Sequence, residues 1–282
     1  MNSKKRRFWG SSLLRNSVFA CVISASLFST ACSEGKFSQS VPDSKAPQRS
    51  IDASGEKTGK FVQPGKSLDL YVIMDRSGSL FVDPSTRAAG SGSDPDCKRF
   101  DAFLQLVEGL RGVLKNKEQV RMTVVTFNNY ATTLPVSDSL LTMSNSEIES
   151  LYKRGVCFEP KGLLGTEYAL GINRALSEYQ KLNLIKKLDL QTVLFFSDGA
   201  ARDESPEQLK NAISSLNQTF SQRIYGVLLG ATTDKCTLET TEGEQMSTTE
   251  CMMEVAGGAS ERVIQVETAD ALAAAITGLI KK

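Results

Sequence analysis

Short apolar runs alternate with helical patterns along most of this chain, from residue 66 to residue 282. The runs are nearly continuous in apolar and β-branched residues, which is typical of strands buried on both faces; they lie at 68–74, 120–127, 190–196 and 223–229. Between them, apolar residues recur at intervals of three and four, as on one face of a helix. This alternation predicts an α/β, Rossmann-like fold: a doubly wound, mostly parallel sheet with helices on both faces. We expect residues 131–136 to pair with 120–127 as an antiparallel edge strand and 263–266 to form an edge strand.

The chain of 282 residues contains no histidine. This excludes Ser-His-Asp and Cys-His catalytic systems, histidine general bases and His-ligated zinc. A Walker loop and a dinucleotide-binding motif are also missing from the sequence. Any metal site must therefore use oxygen or sulfur ligands.

Residues 1–31 have the three-part pattern of a secretory signal. A basic head precedes a short apolar stretch at 18–28, and small residues at 29–31 come before Cys32. The stretch is shorter than the ~20 residues that a membrane-spanning helix needs; the alternative is a buried N-terminal helix, against which the basic head argues. Residues 29–32 resemble a bacterial lipobox, which predicts lipidation of Cys32, with ordinary cleavage after Ala31 as the alternative. Ser33 then predicts an outer-membrane lipoprotein by the bacterial sorting rule.

Residues 32–65 are predicted to be the lipidated cysteine and a flexible tether. The segment 33–65 holds six serines and few large apolar residues, which favours a spacer between a membrane and a domain. Removal of the five basic residues in 1–31 would leave 28 basic against 32 acidic residues. This weak acidity argues against nucleic acid as a partner. We expect no small-molecule substrate.

Four cysteines remain in the predicted domain once Cys21 and Cys32 are set aside. An even number of cysteines in an exported chain predicts disulfides, with three possible pairings. We expect the pairs Cys97–Cys157 and Cys236–Cys251. Four free thiols would suit only a reducing compartment, and the close C-x-x-C pairs of a sulfur-ligated metal site do not occur.

Oxygen-bearing side chains follow two of the predicted buried strands. Asp75, Ser77 and Ser79 come directly after one strand, Asp198 follows another, and Thr166 precedes a predicted helix. Because ligands of such sheets bind at the carboxyl ends of the strands, we expect Asp75 and Asp198 to be neighbours. Carboxylate and hydroxyl oxygens suit a hard cation such as Mg²⁺ or Mn²⁺, with a coordination position left open for an external carboxylate. The alternative is a turn with helix caps and no metal.

Residues 66–282 resemble a von Willebrand factor type A (VWA) domain with a metal-ion-dependent adhesion site. The family motif is D-x-S-x-S, a distant Thr and a distant Asp in an S/T-D-G turn, and all five positions match: Asp75, Ser77, Ser79, Thr166 and Asp198. The resemblance implies that the two serines and the threonine coordinate the metal, while the two aspartates act directly or through water. It also implies an Asp or Glu of a partner protein as the last ligand. The oxygen donors themselves favour Mg²⁺ or Mn²⁺ over Ca²⁺.

Two insertions depart from the family pattern, at about 81–98 and 237–250. The first is polar and should lie beside the metal; Asp94 and Asp96 there suggest either solvated loop acids or calcium ligands. The second holds four Glu, which predicts an acidic, exposed hairpin near the same edge of the sheet as the predicted metal site. This hairpin is either a partner-contact surface or a solvated loop without a binding role. The predicted function is therefore non-catalytic, adhesion-type protein binding at the bacterial cell envelope. The alternative is a scaffold of an envelope complex in which the metal is only structural.

Overall fold

Six strands form the central sheet in the computed structural model, in the order β3-β2-β1-β4-β5-β8. The structure describes residues 61–63, 65–82, 88, 90–114, 119–157, 165–202, 204–221, 223–230 and 234–281. The sheet strands are β1 (Leu68–Asp75), β2 (Val120–Phe127), β3 (Ala131–Thr133), β4 (Leu190–Ser197), β5 (Ile224–Leu229) and β8 (Val263–Val266). All neighbours pair in parallel except β2 and β3, whose antiparallel pairing at one edge confirms the prediction.

Helices cover both faces of this sheet, as predicted. The bounds are α1 (Lys98–Val113), α2 (Asn145–Ile148), α3 (Arg154–Cys157), α4 (Tyr168–Ile185), α5 (Pro206–Phe220), α6 (Thr248–Val255) and α7 (Ala269–Lys281), and a π-helical turn (Glu149–Lys153) joins α2 to α3. Successive residues of β1 point to opposite faces, so Val72 packs in the cluster with α1 and α7 while Ile73 packs in the cluster with α4, α5 and α6. Two-sided burial explains why the strand reads as a continuous apolar run.

A buried ion pair lies where the sheet strands begin. Asp69 of β1 and Arg121 of β2 are register partners, and the Arg121 Nη2 lies 2.5 Å from the Asp69 Oδ2. The same guanidinium donates from Nη1 to the Lys186 carbonyl at 3.1 Å, just past the last residue of α4. Arg121 therefore fixes the C-terminal end of α4 to the beginning of β2.

The folded part begins earlier than the predicted boundary at residue 66. Phe61 is 2% exposed and Val62 is 5% exposed, and the Phe61 ring contacts Tyr225. The tether expected to end at residue 65 therefore does not include these two residues, because their apolar side chains are buried in the core. The predicted signal at 1–31, Cys32 and the tether up to residue 60 lie outside the described residues. Among the described helices, none is both long enough and apolar enough to span a bilayer.

The second insertion forms a hairpin of β6 (Lys235–Glu239) and β7 (Gln245–Ser247). The sequence predicts that the following helix starts at Cys251, but α6 starts at Thr248. The reason is a capping box, in which the Ser247 hydroxyl accepts from the Glu250 backbone and the Glu250 carboxylate accepts from the Ser247 backbone.

Candidate functional site

The ends of β1 and β4 bring two acidic segments together. Met74 and Phe196 are register partners, so Asp75 and Ser197, the next residue in each strand, lie side by side. The Ser197 hydroxyl donates to the Asp75 Oδ2, and Asp75 is fully buried. Asp198 directly follows β4 and is 8% exposed. Parallel pairing therefore places both predicted aspartates at one edge of the sheet.

The turn after β1 supplies two hydroxyls to the same place. The Ser77 backbone N–H donates to the Asp75 Oδ1 at 2.6 Å, which bends the chain back over the strand end. The Ser77 and Ser79 hydroxyls are 3.0 Å apart. Both hydroxyls donate to the Asp198 Oδ1, from 3.4 Å and 3.0 Å respectively. Four of the five predicted residues thus form one connected cluster, here called the Asp75–Asp198 cluster.

Thr166, the fifth predicted residue, lies in the segment that leads into α4 and is 7% exposed. Two residues later, the Tyr168 hydroxyl donates to the Gly199 carbonyl at 2.5 Å. Burial raises the pKa of Tyr168, and the charges of Asp75 and Asp198 raise it further. The turn that follows β2 holds the segment as well, since the Gly165 N–H donates to the Asn129 Oδ1 at 2.9 Å. The start of α4 is therefore close to the two aspartates, while Thr166 as a metal ligand stays a prediction.

Burial and mutual proximity disfavour the negative charge of the two aspartates. Burial raises the pKa of Asp75 to about 7, and the charge of Asp198 contributes. Burial also raises the pKa of Asp198, against the hydrogen bonds from Ser93 and Ser79 and the charge of Arg99, which lower it. Within the described residues, neither carboxylate takes part in a salt bridge.

These donors fit a small, hard cation. The described residues contain no group of three or more His, Cys, Asp or Glu that could hold a metal ion, so a site here must rely on hydroxyls. Two carboxylates and two serine hydroxyls within hydrogen-bonding distance of one another are oxygen donors of the kind that Mg²⁺ and Mn²⁺ prefer. A divalent cation would also compensate the two buried charges, which otherwise disfavour each other's ionisation.

The first insertion reaches the Asp75–Asp198 cluster. The Ser93 hydroxyl donates to the Asp198 Oδ2, and the Ser93 N–H donates to the Ser79 carbonyl at 3.1 Å. Ser93 thus holds the carboxylate oxygen that Ser77 and Ser79 leave free. Ser93 could not be predicted from the sequence, because nothing local distinguishes it from the other serines of a polar loop.

The expectation that Asp94 is a solvated loop acid is wrong. Asp94 is fully buried and its Oδ2 lies 2.6 Å from the Nη1 of Arg99, which is buried as well. Its carboxylate also accepts from the Lys98 and Arg99 backbone N–H groups at the start of α1. Both carboxylate oxygens are therefore used to cap α1 and pair with Arg99, so Asp94 does not fit the calcium alternative either. Asp96 is exposed, as expected.

Both expected disulfides are present, Cys97–Cys157 and Cys236–Cys251. The first joins the residue before α1 to the last residue of α3, and so ties the end of the first insertion to the segment that leads toward Thr166. The second closes the β6–β7 hairpin onto α6.

The acidic hairpin is hydrogen-bonded to the segment that follows Asp198. The Thr237 N–H donates to the Ala201 carbonyl at 2.8 Å, and the Thr237 hydroxyl donates to the Glu204 carbonyl at 3.0 Å. The four glutamates of the second insertion are exposed: Glu239, Glu242, Glu244 and Glu250.

Glu204 is a second residue of this region that the sequence does not predict. It is 8% exposed, and its carboxylate accepts from the Tyr168 and Ala169 backbone N–H groups at 2.9 Å and 2.7 Å. It thereby caps α4, whose preceding residue, Glu167, makes no side-chain cap. The two segments are 36 residues apart, so only the fold reveals the contact.

Comparison with known proteins gives structural matches alone. No protein-family model matches the chain, and the search of curated proteins finds no match. The PilB minor pilin from Streptococcus sanguinis matches with a TM-score of 0.50 and 15% identity over 78% of this chain and 62% of its own length. A point mutant of the same pilin gives a TM-score of 0.51 at 12% identity. At these low sequence identities, the match is evidence of a shared fold alone.

Two further matches have TM-scores below 0.5. The vWF domain of the type V pili tip protein Mfa5 from Porphyromonas gingivalis gives 0.49 at 11% identity, over 77% of this chain and 94% of that domain. Proximal thread matrix protein 1 from the mussel byssus, in a structure with a zinc-occupied MIDAS motif, gives 0.48 at 14% identity over 77% of this chain. The chain spans about 45% of that protein and 62% of the pilin, less than two thirds of either.

The structure has the three features that the sequence predicts for this fold. These are the mostly parallel sheet, the helices on both of its faces, and the Asp75 turn at the carboxyl end of β1. The described part of the chain has the fold of a von Willebrand factor type A domain.

Proposed function

We propose that this protein is a non-catalytic, divalent-cation-dependent protein-binding module of the bacterial cell envelope. The observation that carries the proposal is the Asp75–Asp198 cluster: two buried carboxylates without an ion pair among the described residues, bridged by the Ser77 and Ser79 hydroxyls. In this proposal Asp75, Ser77, Ser79, Thr166 and Asp198 hold Mg²⁺ or Mn²⁺. The cation, when bound, supplies a positive charge and an open coordination position for an Asp or Glu of the partner.

Each aspartate of the cluster orients a different group. Asp198 orients both hydroxyls, since Ser77 and Ser79 donate to the same Oδ1. Asp75 orients the turn by accepting from the Ser77 N–H, and the Ser197 hydroxyl donates to the second oxygen of Asp75. Because the hydroxyls are neutral, only the two aspartates offset the charge of the cation, and an external carboxylate can still complete its coordination.

Asp75 and Ser77 are not arranged as a base and a nucleophile. The Asp75 carboxylate accepts from the Ser77 backbone N–H, and the Ser77 hydroxyl donates to Asp198 instead. Asp75 is therefore not oriented to remove the hydroxyl proton of Ser77, as a general base for a serine nucleophile must be. The chain also has no histidine to take that role.

The envelope assignment rests on the sequence. We propose that residues 1–31 direct export, that Cys32 carries the lipid anchor, and that the protein resides in the outer membrane, on either of its sides. Two disulfides in the described residues support an oxidising compartment outside the cytosol.

Capture on acidic and neutral peptides tests the proposal. A glutamate-rich peptide and a glutamine-rich peptide are immobilised separately, and the protein is passed over each in Mg²⁺ or in EDTA. We expect retention on the glutamate surface in Mg²⁺ alone, and its loss in the Asp198→Ala variant. Equal retention in EDTA, or on glutamine, would contradict the proposal and favour a scaffold with a purely structural metal.

A further inference from the structure

The end of α4 presents two large apolar side chains to solvent. Leu184 is 90% exposed and Ile185 is 80% exposed, whereas no other exposed large hydrophobic residue in the described part of the chain exceeds 45%. The chain returns to the core at Leu188, which is 6% exposed. The segment 184–187 therefore projects from the domain, and two adjacent apolar residues at its tip indicate a contact surface.

This projection is held by the fold. The inward face of α4 is formed by other residues, including Ile172 and Ala175, which are fully buried. Arg121 donates to the Lys186 carbonyl at 3.1 Å, and the Lys186 N–H donates to the Leu182 carbonyl at 2.9 Å. Leu184 and Ile185 are thus carried on an anchored helix end.

Four exposed lysines and one exposed acid, Asp189, lie on or near the same segment. Lys181, Lys186 and Lys187 are exposed on the same segment, and Lys66 is exposed next to Ser67, whose hydroxyl and N–H both donate to Asp189. Lys181 also lies 3.2 Å from Glu178, a buried residue that Arg174 contacts as well. We call the surface formed by Leu184, Ile185 and these four lysines the basal patch. Four lysines against one exposed acid leave the segment basic. An apolar tip with lysines nearby matches the interface of an anionic bilayer, where apolar groups enter the headgroup layer and ammonium groups meet phosphates.

The basal patch faces away from the Asp75–Asp198 cluster. The cluster lies at the carboxyl end of β1, and Ser67 directly precedes the amino end, so eight strand residues, roughly 26 Å, separate them. The chain also enters the fold on this side, since the Phe61 carbonyl accepts from Arg223, which directly precedes β5.

We propose that the basal patch docks on an anionic lipid surface, with Leu184 and Ile185 in the headgroup layer. This contact would set the domain upright and turn the Asp75–Asp198 cluster away from the bilayer. It is independent of the cation, and it adds an orientation that a lipid chain on a flexible tether does not provide.

Tryptophan quenching by brominated lipid tests the orientation in the full chain. Trp9 is the chain's one tryptophan, so Trp9→Phe gives a silent background. Leu184→Trp then places a probe in the basal patch, and Tyr130→Trp places one on the opposite side, because Tyr130 follows the carboxyl end of β2 and is 42% exposed. With vesicles of phosphatidylglycerol and phosphatidylcholine, we expect strong quenching of the Leu184→Trp probe and little of the Tyr130→Trp probe.

Charge reversal separates docking from simple tethering. Both probes share the same N-terminal segment, so membrane binding by that segment alone would quench the two probes equally. Equal quenching would therefore overturn the proposal. Adding Lys186→Glu and Lys187→Glu to the Leu184→Trp chain should reduce its quenching and weaken vesicle binding at least roughly thirtyfold. Unchanged quenching would also overturn it. So would sedimentation without lipid that shows a dimer abolished by Leu184→Ser with Ile185→Ser, because a second copy of the chain would then cover the patch. A failure of the peptide-capture experiment would leave this test unaffected.

Discussion

Removal of Asp94 should destabilise the fold strongly without abolishing the cation response. In Asp94→Ala, Arg99 stays fully buried and loses the carboxylate that lies 2.6 Å from its Nη1. Breaking a buried pair by removing one partner costs about 3–5 kcal/mol. Loss of the cap on the first backbone N–H groups of α1 adds about 1 kcal/mol. For a domain of this size, each kcal/mol corresponds to roughly 2–4 °C in Tm, so we expect a decrease of about 8–24 °C.

The assay is thermal unfolding followed by circular dichroism, with Asp96→Ala as the matched control. Asp96 is an exposed acid of the same loop, so its removal should change Tm by less than about 2 °C. The rise in Tm on adding Mg²⁺ should be similar in both variants at temperatures where they are folded. An Asp94→Ala chain of normal Tm that no longer responds to Mg²⁺ or Ca²⁺ would refute the structural role and make Asp94 a metal ligand.

Three further predictions concern the pH, the disulfides and the anchor. The pKa of Asp75 is raised from 3.8 to about 7, so the native state keeps a proton that the unfolded state loses. In EDTA the fold should therefore lose stability as the pH rises from about 4 to 7; thermal melts should show a larger stabilisation by Mg²⁺ at about pH 8 than at about pH 5, and equal increments would contradict this. Reduction opens loops whose cysteines are 60 and 15 residues apart, and should cost about 4 and 3 kcal/mol in chemical denaturation; mass spectrometry that finds four free thiols before reduction would refute both bridges. Cys32→Ser should move the protein from the membrane fraction to the soluble fraction of cells, and persistent sedimentation with membranes would rule out lipidation as its anchor.

The strands could be predicted because each is a short run of consecutive residues rich in apolar and β-branched side chains. Val120–Phe127 and Val263–Val266 have the predicted bounds, since both segments are rich in β-branched and apolar residues. The beginning of α6 could have been predicted as well, because Ser247 and Glu250 form a capping box with a known spacing. The positions of Asp75 and Asp198 followed from parallel pairing of the strands that precede them.

Contacts that join distant segments could not be predicted. Ser93 meets Asp198 across 105 residues, and Glu204 caps a helix that begins 36 residues earlier. Asp94 looked like a solvated acid because its partner, Arg99, is a charged residue that the helical pattern alone would place at the surface. In each case a polar side chain became buried because the fold supplied a partner, and single-sequence patterns contain no information on such partners.

Titration of Mg²⁺ into the protein by calorimetry tests the central claim most directly. The account predicts saturable binding at a single site in the unsubstituted chain and in Asp96→Ala. It predicts no binding in Asp198→Ala, with a circular dichroism spectrum that shows an intact fold. Binding that survives in the folded Asp198→Ala chain, or no binding of Mg²⁺ or Mn²⁺ to the folded unsubstituted chain, would contradict the claim that these oxygen-bearing side chains form a cation site.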